Sequence, residues 1–323
     1  MTHPGPPYDP DLATFLQHIL GLIPTMPDFS NPAEMRKLGS LLYPPIDEVL
    51  AGTGIEHVEV TTPQVDGTPG VVLSIFRRSG TPGGTLVPCI YFIHGGGMMM
   101  GDRFTGATTF PDLIDRFGVA VVSVEYRLAP EHPHPMPVDD CYAGLCWLAR
   151  NGAEHGIDAN RIIVYGGSAG AGLAAGVCLQ ARDRSGPPVI AQILSAAMLD
   201  DRDTTTSTHQ FEAPSLWPRA SNVAGWTALL GVDRGTETVS PYAAPARADD
   251  LSRLPPAYID VGSAEVFRDE NVDYATRIWE AGGQAELHVW GGAWHGFEMV
   301  RDAAVSQAAK AARYSWIARI LST

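Results

Sequence analysis

Strand-like and helix-like segments alternate along most of this chain. Short apolar runs predict strands, and the amphipathic or small-residue segments between them predict helices. The predicted strands lie at residues 57–61, 71–77, 89–93, 119–126, 161–165, 189–194, 257–261 and 286–290. The predicted helices lie at residues 138–151, 169–182, 271–281 and 305–321. This order predicts an α/β fold, with a mostly parallel, twisted sheet flanked by helices.

Two parts of the chain fall outside this alternation. Residues 1–50 are rich in proline and contain short helical patches at 12–22 and 34–42. The other part lies at about 200–250, and an insertion of that length between strands is usually functional. We therefore predict a catalytic domain over residues 51–323, covered by a helical cap that combines residues 1–50 with the insertion.

Charge and cysteine usage restrict the class of protein further. The 323 residues carry a formal net charge of −14, which disfavours binding to nucleic acids and to anionic membranes. The N-terminus does not resemble a secretory signal, and no apolar run reaches the ~18 residues of a membrane span. The cysteines lie in apolar stretches without a CxxC pair, as small core residues do, at positions 89, 141, 146 and 178. We expect a soluble, cytoplasmic protein.

The sequence GGSAG at residues 166–170 matches the pattern G-x-S-x-G. It directly follows the predicted strand 161–165 and directly precedes a helix rich in alanine and glycine. Strand, tight turn and helix in this order are typical of a nucleophile elbow, so we predict Ser168 as a nucleophile. The alternatives are a phosphate-binding glycine turn and plain packing of a helix on a strand.

The sequence HGGG at residues 94–97 follows the predicted strand 89–93. A carbonyl attacked by Ser168 becomes an oxyanion, which needs backbone N–H donors already in place. Glycines let the backbone come close to a substrate, so we predict donors at Gly96, Gly97 and Ala169. Taken alone, HGGG also fits a flexible turn.

A serine hydroxyl needs a general base, and His295 is the histidine best placed to supply one. It lies in the glycine-bounded loop GGAWHGF, just past the last predicted strand. The order serine, acid, histidine along the chain is the one found in this type of site. His132 and His134 lie in a proline-rich run and are interpreted as structural.

The base needs a carboxylate partner, which should follow the predicted strand 257–261. The candidates are Asp260, Glu265, Asp269 and Glu270. Asp260 lies within the strand, and the last two resemble residues in the first turn of the next helix, where acidic side chains are favoured. Glu265, in the loop between them, is our choice, with Asp269 as the alternative.

Four motifs together resemble the bacterial hormone-sensitive-lipase-like carboxylesterases: FIHGGG at 92–97, YRLAPEHP at 126–133, GGSAG at 166–170 and WHGF at 294–297. The resemblance covers residues 85–300. It implies the α/β-hydrolase fold, a Ser/acid/His triad, an oxyanion hole from the HGGG glycines and a helical cap. It also implies short- to medium-chain esters as substrates and neither a metal nor an organic cofactor. Homodimers are common in the family, which makes a homodimer the oligomeric state to test.

Two positions depart from the pattern of that family. Residue 167 is glycine where members commonly carry Asp or Thr. The predicted acid is a glutamate, in EVFRDE at 265–270, where the usual pattern resembles DPLxDE. Its extra methylene means that Glu265 must approach His295 along a slightly different path.

The residue types next to the predicted site leave two interpretations open. Residues 98–100 are three methionines, whose flexible thioethers suit an acyl pocket and also suit gap-filling in a core. Trp217, in the insertion, either lines the cap or anchors it.

These features predict a serine carboxylesterase that acts on small-molecule esters through an acyl-enzyme intermediate. Amidase, lactonase or lipase activity on the same triad is the alternative within enzymes. A non-catalytic ligand-binding protein on the same scaffold is the alternative outside them. That protein should have lost a triad residue or an oxyanion glycine, and the chain retains all of them.

Overall fold

The sheet is the central feature of the fold. A computed structural model describes residues 4–22, 28, 31–40, 43–64, 69–81, 84–212 and 215–322. Within these ranges eight strands form one sheet: β1 Ile55–Thr61, β2 Val72–Arg78, β3 Val87–Ile93, β4 Ala120–Glu125, β5 Ile157–Gly167, β6 Ala191–Ser195, β7 Ala257–Gly262 and β8 Ala285–Trp290. Their spatial order is β1-β2-β4-β3-β5-β6-β7-β8. β2 pairs antiparallel with β1 and β4, and every other pair is parallel, which confirms the predicted mostly parallel sheet.

Helices connect the strands and precede the sheet. In the described residues they are α1 Pro10–Leu22, α2 Pro32–Ser40, α3 Ile46–Leu50, α4 Phe110–Phe117, α5 Met136–Asn151, α6 Ala169–Asp183, α7 Thr206–Gln210, α8 Arg219–Leu230, α9 Arg268–Glu280 and α10 Ala304–Leu321. The helix predicted at 271–281 begins earlier, at Arg268, because its acidic first turn is already helical. Of the helix predicted at 34–42, residues 41 and 42 lie outside the described part.

Each face of the sheet buries its own apolar core. Side chains alternate between the faces along a strand, and β3 shows this. Ile90 and Phe92 pack in the same cluster as Phe110 of α4, whereas Tyr91 and Ile93 pack on the opposite face. Burying one such side chain contributes roughly 1.5–3 kcal/mol. The two cores therefore fix the strands that lead into the predicted site.

The helix α6 lies unusually close to the strands, because small residues face them. An ideal Cβ on Gly170 would lie 2.1 Å from the carbonyl oxygen of Ile93, and one on Gly172 would lie 2.1 Å from that of Met198. No side chain fits at these distances. Close packing of α6 brings its N-terminus against the ends of the neighbouring strands, and the predicted nucleophile lies at that N-terminus.

The N-terminal helix α1 packs on the loop that contains His295. Trp294, next to that histidine, donates a hydrogen bond from its indole Nε1 to the carbonyl of Leu12, at 3.1 Å. Leu12 and Leu16 are buried in a cluster with Trp294 and Phe297. The division into a catalytic domain and a cap stays a prediction, and this contact agrees with an N-terminal segment that covers the site.

All four cysteines are free thiols. Cys89, Cys141 and Cys178 are buried, as expected for small core residues, whereas Cys146 is only half-buried. Burial raises the pKa of the Cys89 thiol. No helix in the described ranges combines the length and the apolar character needed to cross a bilayer.

Candidate active site

Ser168 occupies a strained turn between β5 and α6. Its φ of 56° and ψ of −122° lie where residues other than glycine are rare, and such a conformation costs about 1–3 kcal/mol. The turn is tight because glycines precede and follow it. An ideal Cβ on Gly166 would lie 2.1 Å from the carbonyl oxygen of Gly170. The predicted strand–turn–helix geometry is present, and Ser168 lines a cavity.

The loop after β6 holds the backbone of this turn. The N–H of Ser168 donates to the carbonyl of Ser195 at 2.8 Å, and the carbonyl of Ser168 accepts from the N–H of Met198 at 3.1 Å. These two hydrogen bonds lie on either side of the strained residue. They fix its backbone from the neighbouring strand and not only from its own helix.

His295 lies within hydrogen-bond distance of Ser168. Its Nε2 is 3.0 Å from the serine Oγ. The ring is packed between aromatic side chains, with Phe267 edge-on at 5.1 Å and Trp217 at 6.2 Å between ring centroids. Its side chain is 13% exposed, so the imidazole is shielded on most sides. The structure thus brings the predicted base to the predicted nucleophile.

Glu265 contacts the other nitrogen of the same imidazole. Its Oε2 lies 2.6 Å from Nδ1 of His295, and its Oε1 accepts the backbone N–H of Gly262 at 2.8 Å. The carboxylate is fully buried. The longer side chain folds back on the end of β7, and its extra methylene does not separate the acid from the base.

The three other candidate acids have partners elsewhere. Asp260 pairs with Arg313 of α10, and Asp269 accepts the N–H of Ser207 at 2.7 Å. Glu270 accepts the N–H of Leu199 at 2.7 Å, and burial raises its pKa well above the usual carboxyl value. None of these contacts involves His295.

The predicted oxyanion donors lie beside the serine. Gly96 and Gly97 have φ values of 125° and 59°, and both line the same cavity as Ser168. Ala169 is the first residue of α6, where the helix dipole favours negative charge. The N–H groups of these three residues donate no hydrogen bond to any residue that the structure describes. They are therefore free to bind an anionic oxygen.

A cavity of about 310 Å³ opens over Ser168. Its size lies at the small end of the range for small-molecule sites. Most of its wall is apolar or aromatic, from Tyr43, Phe92, Met100, Leu216, Trp217, Val261 and Phe297. Two of the contributing segments are those that fall outside the strand–helix alternation, the N-terminal one and the insertion.

The three methionines at 98–100 differ in location, so the acyl-pocket interpretation and the core-filling interpretation each apply to part of the run. Met98 and Met99 are buried in the core, whereas Met100 lines the cavity. Trp217 lines the cavity and also packs tightly against the HGGG turn, since an ideal Cβ on Gly97 would lie 2.1 Å from its ring.

The chain is similar to known esterases along most of its length. A family model described as the alpha/beta hydrolase fold matches residues 90–299. Esterase LipI of Mycobacterium tuberculosis is 34% identical over 226 residues, 69% of this chain and 70% of that protein. Carboxylesterase NlhH of the same species is 37% identical over 207 residues, 62% of this chain and 63% of that protein. The solved structure of a Bacterial Heroin Esterase is 38% identical, with a TM-score of 0.86, and the match covers 97% of this chain and 98% of that one.

The chain belongs to the hormone-sensitive-lipase-like carboxylesterase family. The resemblance seen in the four motifs is confirmed, and so are the α/β-hydrolase fold and the enzyme class, a carboxylic ester hydrolase. Gly167, where members of the family commonly carry Asp or Thr, lies at the cavity wall of this carboxylesterase. Among the described residues no atom beyond the adjoining ones lies within 4 Å of an ideal Cβ there, so the departure leaves open space beside the serine.

Several residues of the carboxylesterase site were absent from the sequence predictions. Tyr43 lines the cavity, Phe267 packs against His295, and the loop after β6 holds the turn of Ser168. The position of Phe267, two residues after the predicted acid, is the one local signal for its contact with the base. Among the described residues no group of three His, Cys, Asp or Glu side chains could hold a metal ion, and the expected lack of a cofactor stays a prediction.

Proposed function

We propose that this carboxylesterase hydrolyses short- to medium-chain acyl esters through Ser168, His295 and Glu265, with an acyl-enzyme intermediate. One observation supports the proposal most: a continuous hydrogen-bonded path from hydroxyl to imidazole to carboxylate, with distances of 3.0 and 2.6 Å. The serine at its end opens into an apolar cavity, beside backbone N–H groups that donate to none of the described residues. This arrangement is suited to acyl transfer.

Acylation begins when Oγ of Ser168 attacks the ester carbonyl carbon. Nε2 of His295 accepts the hydroxyl proton as the new C–O bond forms. Glu265 accepts the Nδ1–H, which fixes the tautomer of the imidazole and stabilises the imidazolium. The carbonyl oxygen becomes an oxyanion and accepts hydrogen bonds from the N–H groups of Gly96, Gly97 and Ala169.

The tetrahedral intermediate collapses when the bond to the alcohol oxygen breaks. His295 donates its proton to that oxygen, and the alcohol leaves, so that the acyl group stays on Ser168. Water then takes the place of the alcohol, and His295 accepts its proton as it attacks the acyl carbonyl. The same N–H groups stabilise the second oxyanion, and collapse releases the carboxylic acid and restores the serine hydroxyl.

The size and walls of the cavity favour esters with short to medium acyl chains over long ones. A volume of about 310 Å³ matches a small ligand, and most of the cavity wall is apolar or aromatic, as suits an acyl chain. Amidase, lactonase and lipase activities use the same triad and are the outcomes against which the proposal is tested.

A series of p-nitrophenyl esters tests this proposal. We expect kcat/KM to be highest between the acetate and the octanoate and to be low for the palmitate, with no rise in rate when the substrate forms an interface. A lipase would show the reverse, with long-chain preference and activation at the oil–water interface.

The control for that series is Ser168→Ala. Since the triad residues act as a unit, we expect kcat to fall by ~10⁶ for every ester, a magnitude measured for a serine protease. Near-native hydrolysis by this variant would remove Ser168 from the mechanism, whatever the chain-length preference.

We further propose that the enzyme acts on small-molecule esters in the cytoplasm and binds neither nucleic acid nor membranes. The net charge of −14 and the four free thiols support this proposal. A homodimer stays a prediction from the family resemblance.

A further inference from the structure

Two residues in strained backbone conformations meet where β6 ends. Ser168 has a φ of 56°, and Ala196 in the loop after β6 has a φ of 47°. Residues 195–198, here called the elbow clasp, hold the serine through both of its backbone groups. Because neither strained residue is a glycine, the surrounding contacts must hold this geometry.

The side chain of Asn271, in α9, forms hydrogen bonds with the middle of the elbow clasp. Its Oδ1 accepts the N–H of Ala197 at 3.1 Å, and its Nδ2 donates to the carbonyl of Ala197 at 2.7 Å. A side-chain amide thus pairs with both backbone groups of one residue, as a neighbouring strand would. Ala197 lies between Ser195 and Met198, the two residues that bind the backbone of Ser168.

The same amide also contacts the loop of the acid. Nδ2 of Asn271 donates a second hydrogen bond, at 2.8 Å, to the carbonyl of Phe267. Phe267 lies two residues after Glu265, and its ring packs edge-on against His295 at 5.1 Å. Asn271 therefore connects the segments that hold all three residues of the proposed triad.

The chemistry of this position requires an amide. Asn271 is fully buried, so backbone groups that lose it have no water to replace it. An ionised aspartate keeps the acceptor for Ala197 but cannot donate to either carbonyl. Alanine removes all three hydrogen bonds.

We propose that Asn271 is a positioning residue that holds the elbow clasp, and through it the Oγ of Ser168, at attacking distance from the substrate. It touches no substrate itself and acts through backbone groups. The proposal rests on the proposed function, in which Ser168 is the nucleophile. A displacement of about 1 Å in a nucleophile can cost about 10²-fold in rate, which sets the expected size of the effect.

The test measures the first chemical step alone, with a p-nitrophenyl organophosphonate that reacts at the serine. We expect Asn271→Ala to lower the inactivation rate constant, kinact, by about 10²-fold while Ki for the reversible complex stays close to the wild-type value. A residue with only a structural role would lower the unfolding midpoint and leave kinact of the folded protein unchanged.

Gln192→Ala is the matched control. Gln192 is also a fully buried amide that donates to a backbone carbonyl, that of Pro255 at 3.0 Å, but it lies three residues before the clasp, within β6. We expect this variant to lose stability and to keep the wild-type kinact. An equal loss of kinact in Gln192→Ala, or the wild-type kinact in Asn271→Ala, would overturn the proposal.

Asn271→Asp provides a second readout that does not need the alanine variant to fold. A neutral carboxyl can donate to Ala197 as the amide does, whereas the carboxylate cannot, and burial raises the pKa of such a group. We expect the ratio of kinact in this variant to kinact in the wild type to fall as pH rises. A ratio that does not change with pH contradicts the proposal. A wild-type protein that the reagent fails to label would instead refute the proposed function.

Discussion

At the scale of single residues, two glycines line the same cavity but differ in the space available for a side chain. An ideal Cβ on Gly97 would lie 2.1 Å from the ring of Trp217, at a backbone φ of 59°. An ideal Cβ on Gly167 would meet no atom of the described part of the chain within 4 Å, apart from its sequence neighbours. A methyl group therefore has no room at Gly97, whereas the described residues leave room for one at Gly167.

This contrast predicts the effects of two alanine substitutions. In Gly97→Ala the indole of Trp217 or the oxyanion turn must move, which misplaces one N–H donor, so we expect kcat to fall by about 10²–10³. Gly167→Ala should lose far less. The measurement is kcat for p-nitrophenyl butyrate in both variants, with circular dichroism to show that each is folded. A larger loss in Gly167→Ala than in Gly97→Ala would contradict this account.

The residues of the candidate site could be predicted from the sequence only where a local pattern marks them. Ser168 lies in a strand–turn–helix motif, and His295 lies in a glycine-bounded loop after a strand. Glu265 could be chosen among four carboxylates because of its loop position. Phe267 and Asn271 could not be predicted, because their contacts depend on how separate segments pack. Phe267 contacts His295 in the loop after β8, and Asn271 contacts Ala197 in the loop after β6.

At the scale of elements, the C-terminal helix α10 connects β7, the strand that precedes Glu265, to the loop that contains His295. Arg313 pairs with Asp260 of β7 at 2.9 Å, and it also binds Glu298, three residues after His295. Burial alone would lower the pKa of this guanidinium, but the two carboxylates outweigh burial and hold it well above its usual value. The guanidinium stays charged, and its removal would leave Asp260 buried without a counter-ion.

Substitutions at two arginines of α10 test how much this buried ion pair contributes to the free energy of unfolding. We expect Arg313→Met to lower the free energy of unfolding by about 3–5 kcal/mol, because it leaves Asp260 as an uncompensated buried charge. Arg319→Met removes an exposed pair with Glu286 and should cost about 0–1 kcal/mol. Urea denaturation of both variants measures the difference. Equal costs would show that burial of the Arg313 pair does not matter.

The elements themselves could be predicted to different degrees. Buried strands such as β3 and β4 are apolar along most of their length and were found from that pattern. The helix α4 was missed, although Pro111 in its first turn and Gly118 after its last residue are helix start and stop signals. Its apolar residues follow the helical spacing i, i+3, i+4 and i+7, but two turns are shorter than the window of about 11–18 residues over which such a pattern is sought.

At the scale of the whole molecule, parallel pairing of the strands assembles the site. Strands β5, β7 and β8 end at the same edge of the sheet, and the chain leaves them at Gly167, Gly262 and Trp290. Ser168, Glu265 and His295 follow these ends, so segments far apart in sequence meet where ligands bind in open α/β sheets. The strand–helix alternation predicts this convergence.

The sequence predicts least well which residues of the N-terminal segment cover the site. The contact between Leu12 and Trp294 joins residues 282 positions apart. No local pattern encodes such a contact, because it depends on how α1 packs on the loop after β8. The sequence predicted that residues 1–50 belong to a cap, but not that Tyr43 lines the cavity.

Covalent labelling shows whether Ser168 is the activated nucleophile. An organophosphonate reacts with an activated serine, and mass mapping identifies the modified peptide. We predict a single adduct on Ser168, formed much more slowly in His295→Ala, with loss of ester hydrolysis in proportion to labelling. An adduct on a different residue, or full loss of activity with Ser168 unmodified, would contradict this prediction.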